Sequence, residues 1–412
     1  MNASDAVLAH AEAALAAALQ FSGPADDVLS RYFRAHHALG QRDRAFVAES
    51  VFAVLRRKRS LEAAVGSSEP RLLLLAALLR VLGLSGRALH GLAEESIIAR
   101  IRGARLEALP DAVRADLPDW LWQRLVAQNG ADEAMRIARG LLNPAPLDLR
   151  VNLARIGRDE ALQRLELESA ATPHSPSGVR VAGKPPINRH PLFRDGLVEV
   201  QDEGSQLLAW LLAPRRGEMI ADYCAGAGGK TLAIAMLMRG TGRIYALDVS
   251  ARRLAALAPR AARAGVTNVH SIALSGDNDA RAARLAGKLD RVLVDAPCSG
   301  FGTLRRNPDL KWRHGPDAIV ELAGKQQRIL AAAARLLKPG GRLVYATCSI
   351  LQEENEAVVD AFRSAHPQFQ ALSCAELLAA QRIDVGAGER LRLWPHLHGT
   401  DGFFAAAFSR AA

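Results

Sequence analysis

From Gly204 onward the chain alternates short apolar runs with helical repeats, and each apolar run stops on a turn carrying glycine, an acid or a thiol. Strands are expected near 218–224, 243–249, 269–274, 291–296 and 342–348, and helices near 206–213, 229–239, 250–264, 317–337 and 352–364. Strands separated by whole helices need crossover connections, so the pattern demands a doubly wound, Rossmann-like parallel sheet of the α/β class. The closing run FFAAAFSR, 403–410, adds a last strand, expected to pair antiparallel with an edge. In such a sheet ligands sit beyond the carboxyl ends of the strands, so the residues where strands stop carry the question of function.

Residues 1–140 read as helix after helix. In RDRAFVAESVFAVLRRKRSLEAAV, Phe46, Val47, Val51, Phe52, Val54 and Leu55 recur at helical spacing, while Arg56, Arg57, Lys58 and Arg59 form a basic cluster. Such a cluster either grips phosphates or forms a solvated helix end. Pro-punctuated strands and turns follow from Asn143, giving three expected domains: an all-helical 1–140, a small mixed α/β module 141–205 and the alternating domain 206–412.

With 412 residues, of which 49% are hydrophobic, the chain can bury ordinary packed cores. A formal charge of +10 favours a polyanionic partner such as RNA, although only seven of the 53 basic residues are lysine and heavy arginine usage also follows from a GC-rich coding sequence. Cys224, Cys298, Cys348 and Cys374 lie far apart without a C-x-x-C pair, which argues against a zinc site or a disulfide framework. The start of the chain carries Asp5, His10 and Glu12 in place of a cationic leader, and the run at 72–79, bounded by Arg71 and Arg80, is too short to span a bilayer. The expectation is a cytoplasmic protein with no membrane partner and no metal. The sequence does not reveal the oligomeric state, and a monomer is the default.

The first strand ends in DYCAGAGGKT, residues 222–231. A phosphate-binding P-loop needs a leading glycine where this chain has Cys224, and a dinucleotide fingerprint needs a third glycine where it has Thr231. The remaining reading is an S-adenosyl-L-methionine site, whose loop approaches a methionine moiety and whose second strand ends on an acid for the ribose hydroxyls. Asp248 meets that requirement, Asp277 follows the third strand on the adenine side, and Asp295 ends the fourth. For Asp248 alone, a helix N-cap is the ordinary alternative.

Cys298 and Cys348 end neighbouring strands. Cytosine C5 is a poor nucleophile toward a methyl sulfonium, but a thiolate adding at C6 turns C5 into an enamine-like carbon that attacks, after which the C5 proton leaves and the thiol is eliminated. By position either cysteine meets that demand.

Together DYCAGAGGKT, LDVS, DAPCSGFGTLRRNPDLKW, LVYATCSI followed by EEN, and DGFFAA resemble the motifs of the Sun/Fmu family of RNA (cytosine-5) methyltransferases over roughly 143–412. LSRYFRAHHALG and DRAFVAESVFAVLRR resemble the NusB-like RNA-binding domain of its bacterial ribosomal RNA members, the RsmB-like proteins. The resemblance implies a class I methyltransferase sheet behind a NusB-like domain, acting on small-subunit ribosomal RNA. It implies that Cys348 is the nucleophile and that Cys298 assists product release. It further implies that Cys224, Ala225, Gly226, Ala227, Gly228, Gly229, Lys230, Asp248, Asp277 and Asp295 line the cofactor, with Asp295 and Lys230 also close to the target base. Where the family usually has proline, this chain has Ala227. On this reading the target base is unstacked, and basic groups of LRRNPDLKW and of the helical domain hold phosphates. A non-catalytic RNA-binding assembly factor and a P-loop NTPase are the competing classes.

Overall fold

The structure, a computed structural model, describes residues 4–277 and 279–411, and they divide into two compact units. The first comprises residues up to Pro144 together with Thr303–Pro316; the second comprises Ala145–Gly302 and Asp317 onward.

The first unit is helical. Its core is built on the helices Asp5–Ala18, Gln41–Arg56 and Pro70–Arg80, with Leu8, Leu15, Val47, Val51, Val54 and Leu74 wholly buried. Pro70 opens its helix at a position where a missing N–H costs nothing. The segment 303–316, which the sequence reading kept within the last domain, joins this core. The Trp312 indole donates to the Leu55 carbonyl at 2.9 Å, Lys311 Nζ donates to the Arg56 carbonyl at 2.8 Å, and Asp309 accepts from the Ala25 N–H at 3.3 Å. The last carbonyls of helix Gln41–Arg56 thereby gain a lysine nitrogen and an indole as donors in place of water.

Two expectations about RNA contact are corrected here. Arg305 is 7% exposed and Lys311 2%, so neither is displayed as a phosphate ligand. The cluster 56–59 is also largely spent inside the unit. Arg56 donates to the Arg305 carbonyl, Lys58 pairs with Glu62, and Arg59 bonds the Leu117 carbonyl and Asp119. A run of like charges reads as solvent-facing only when no carbonyls or acids from distant sequence reach it, and local sequence cannot show that.

The second unit holds two sheets. Leu147–Val151 (β1), Ser169–Ala171 (β2), Gly178–Val181 (β3) and Val198–Val200 (β4) form an antiparallel sheet in the order β2-β3-β1-β4. Met219–Tyr223 (β5), Arg243–Asp248 (β6), Val269–Ala273 (β7), Leu289–Asp295 (β8), Leu337–Thr347 (β9), Phe369–Leu372 (β10), Leu391–Leu393 (β11) and Phe403–Arg410 (β12) form the large one. Its order is β10-β12-β9-β8-β5-β6-β7, with β11 on β12. Strands β5 to β9 run parallel. The order reverses between β5 and β8, which opens a crevice at their carboxyl ends.

Alternation explains why these strands read as unbroken apolar runs. In β8, Val292 and Val294 enter the core on one face and Leu293 the core on the other; in β9, Leu343 and Tyr345 oppose Val344 and Ala346. The same rule applies to β12. Phe404, Ala406 and Phe408 face one core and Phe403, Ala405 and Ala407 the other. As expected, the strand pairs antiparallel with an edge, β9 of the parallel set, and β10 adds beyond it. The helix expected over 250–264 is two, Ala251–Ala255 and Leu257–Ala264. Pro259 cannot donate to the Ala255 carbonyl and its ring crowds it, so the first helix stops there.

Candidate active site

A cavity of about 360 Å³ opens at the crevice, lined by the ends of β5, β6, β7, β8 and β9. Of the residues singled out from the sequence, Cys224, Asp248, Asp277, Asp295, Cys298 and Cys348 all reach its wall. Ala225 to Gly229 do not line it, and Lys230 meets it through Asp295.

The loop after β5 is held from three directions. Cys224 takes a left-handed conformation with φ +70°, as do Gly226 at +55° and Gly228 at +82°. At Gly228 a Cβ would collide with the Leu257 side chain, so the turn is closed to larger residues. Three of its N–H groups are already used: Ala225 donates to the Leu247 carbonyl, Gly228 to the Ala225 carbonyl and Gly226 to Asp248 Oδ2 at 2.8 Å. From outside, Arg260 donates to the Ala227 carbonyl and Arg150 of β1 to the Gly229 carbonyl at 2.7 Å. The Arg260 contact falls at the residue where proline would have stiffened the loop, so a guanidinium supplies there part of the restraint a ring would give. It also gives the small sheet a purpose, because Arg150 comes from β1 and Glu199 of β4 pairs with Arg260 and Arg263.

Asp248 is not the helix cap. Ser250 caps Ala251–Ala255, and Asp248 instead accepts from the Ser250 and Gly226 N–H groups. Its carboxylate therefore ties the end of β6 to the glycine loop and keeps lone pairs for a pair of hydroxyls. The next residue, Val249, is an apolar side chain 60% exposed at the cavity wall, which Leu274, Ala296 and Ile329 also line. In the sequence alone an apolar residue after a strand end is indistinguishable from more strand. Its signal is the pairing of a solvent-facing valine with the acid before it.

On the other side, Lys230 Nζ donates to Asp295 Oδ2 at 2.7 Å and lies 5.7 Å from the Phe403 ring centre. Burial pulls the Lys230 ammonium down, but Asp295, Cys348 and Asp222 together hold it above its usual value, so it stays charged. Asp222, not among the residues singled out, is wholly buried; it accepts from the Thr231 hydroxyl through Oδ2, and its other oxygen has no partner. Burial, opposed by the Thr231 hydrogen bond, lifts it to about 7.

The Cys298 and Cys348 sulfurs are 3.4 Å apart. Their surroundings differ. Cys298 is pushed well up by its hydrogen bond to Cys348, by burial and by the negative charge of Cys348 and Glu354, which makes it a neutral S–H donor. Cys348 lies close enough to Lys230 to count among the groups that hold its ammonium up.

This wall does not suit a nucleotide triphosphate. Three carboxylates face the cavity, and Lys230 is paired with Asp295. Residues 209–409 match the 16S rRNA methyltransferases RsmB/F, and 117–188 match the ferredoxin-like domain of the RsmF/B-like methyltransferases. The probable ribosomal RNA small subunit methyltransferase B of Synechocystis is 33% identical over 416 residues, covering 91% of this chain and 93% of the relative. The chain belongs to the RsmB/F family.

Among solved structures, the crystal structure of PH0851 matches this methyltransferase with a TM-score of 0.79 at 25% identity, covering all of both chains. A methyltransferase homolog protein from Pyrococcus horikoshii matches with a TM-score of 0.62 at 31% identity, over 73% of this chain and 97% of that one. As an RsmB/F enzyme the chain is an rRNA methyltransferase of the Sun/Fmu type, and its cofactor is S-adenosyl-L-methionine. The cavity fits that group. Val249, Leu274 and Ile329 give the wall apolar surface suited to a planar ring, Asp248 offers acceptors for hydroxyls, and the volume lies in the range of small-molecule sites. Val249→Asp places a fourth carboxylate on that surface, and calorimetry is expected to show cofactor affinity down by at least about tenfold, about 1.4 kcal/mol. Among the described residues no helix is long and apolar enough to cross a membrane, and no cluster of His, Cys, Asp and Glu is placed to share a metal ion.

Proposed function

We propose that this methyltransferase modifies C5 of a cytosine in 16S rRNA through a covalent bond from Cys348 to C6. The observation that carries the reading is the meeting of two thiols 3.4 Å apart with the Lys230–Asp295 pair, at the wall of the cofactor cavity. A methyltransferase acting on an exocyclic nitrogen needs no thiol at its target.

S-adenosyl-L-methionine supplies the methyl group on a sulfonium. The remaining work belongs to side chains. The Cys348 thiol loses its proton to water and adds to C6 as thiolate, while a proton passed from the Lys230 ammonium through Asp295 to ring N3 neutralises the charge that the addition displaces onto the ring. After methylation the C5 proton leaves to water, the C6–S bond breaks as Cys348 departs as thiolate with Cys298 S–H as its hydrogen-bond donor, and the ring proton returns through Asp295 to Lys230. Cys224, Asp248 and Asp277 face the cofactor, and the loop Ala225–Lys230 holds Cys224 and Asp248 in place behind it. The helical unit, resembling NusB, serves as an RNA-binding domain, and the chain works as a monomer.

Incubation with methyl-labelled cofactor and 16S rRNA is expected to place label at cytosine C5. Label on an exocyclic nitrogen contradicts the proposal, and an absence of any label in the presence of bound RNA favours the non-catalytic assembly factor.

A further inference from the structure

A buried polar network lies beneath the two thiols. Glu354 is wholly buried in the turn before helix Glu356–Ala365, and its carboxylate has four donors. Oε1 accepts from the Ser299 N–H at 2.8 Å and from Gln326 Nε2 at 3.0 Å; Oε2 accepts from the hydroxyls of Ser299 and Ser349. Each of those serines directly follows one of the cysteines. Four donors on a carboxylate satisfy its lone pairs, so no part of this buried charge is left unmatched.

The two thiol-bearing turns do not depend on Glu354 equally. The Cys348 turn has other anchors: Asn355 Nδ2 donates to the Ser349 carbonyl, the Ser349 N–H donates to Thr347 Oγ1, and the Gly302 N–H donates to the Cys348 carbonyl. Ser299 bonds Glu354 through both its N–H and its hydroxyl, and Pro297 is held through Gln326, which itself bonds Glu354. Loss of the carboxylate loosens Cys298 while Cys348 keeps its place.

We infer that Glu354 is a positioning residue for product release, setting the contact of Cys298 with Cys348 through Ser299 and Ser349. The inference rests on the proposed thiol chemistry. Attack at C6 needs only Cys348, whereas elimination needs both sulfurs in register, so the step that fails without Glu354 is the second.

Glu354→Gln keeps the side-chain shape but places an amide NH₂ against donors. It is expected to bind cofactor as wild type does, to accumulate covalent protein–RNA adduct on denaturing gels as Cys298→Ala does, and to lose about 10–100-fold in kcat. Combining Glu354→Gln with Cys298→Ala then adds no further adduct. Should Glu354→Gln fail to fold, Ser299→Ala with Ser349→Ala removes the same contacts and is expected to trap the same adduct. Adduct from Cys298→Ala with wild-type release in the Glu354 or serine variants overturns the inference alone. No adduct from Cys298→Ala, or from wild type on 5-fluorocytidine RNA, overturns the thiol chemistry and the inference with it.

Discussion

Cys348→Ala is expected to fold, to bind S-adenosyl-L-methionine with wild-type affinity and to transfer no measurable methyl group, a loss on the order of 10⁴-fold or more in kcat. The size follows from its place. Cys348 ends β9, the neighbour of β8 in the parallel sheet, so its sulfur stands beside the Asp295–Lys230 pair and at the wall of the cofactor cavity. Without the thiolate C5 keeps its poor intrinsic nucleophilicity, and no other group nearby replaces it. With the Cys348 sulfur gone, burial and the nearby Glu354 still push the Cys298 thiol up, so it remains a poor nucleophile. Calorimetry with the cofactor separates lost chemistry from lost binding. Methylation at a tenth of the wild-type rate or more in this variant contradicts the assignment.

Cys298→Ala is expected to behave differently. Attack and methylation proceed, release fails, and a protein–RNA adduct resistant to denaturant builds up toward one per enzyme while turnover stops. Alanine keeps the turn, since Pro297 and Ser299 are anchored independently of the sulfur by Gln326 and Glu354. What is lost is the S–H that sits 3.4 Å from the departing sulfur. If Cys348→Ala is the variant that traps RNA and Cys298→Ala the one that cannot attack, the two roles are exchanged.

The parallel sheet was legible because its strands are buried on both faces, so β5, β6, β8 and β9 appear as apolar runs with helices between them. The acids and thiols at the ends of those runs were legible for the same reason, since a polar residue stopping an unbroken apolar strand marks the ligand edge. The short strands β10 and β11, of four and three residues, were not legible; at that length alternation cannot be told from chance. The supports of the site were also hidden. Glu354, Arg260 and Arg150 act across long stretches of chain, and nothing local distinguishes a glutamate that will bond two serines from one that will face water. The segment 303–316 misled because LRRNPDLKW has the composition of a phosphate-binding loop, yet Lys311 and Trp312 spend their donors on carbonyls at the end of a helix some 250 residues earlier.

Trapping of the wild-type enzyme on 16S rRNA containing 5-fluorocytidine, followed by proteolysis and mass spectrometry, tests the covalent reading most directly. Fluorine at C5 cannot leave as the proton does, so the methylated adduct cannot be eliminated. The expected result is one cross-linked peptide, carrying Cys348 joined to a methylated fluorocytidine. A cross-link at Cys298, or methyl transfer to the fluorinated RNA with no cross-link, contradicts it.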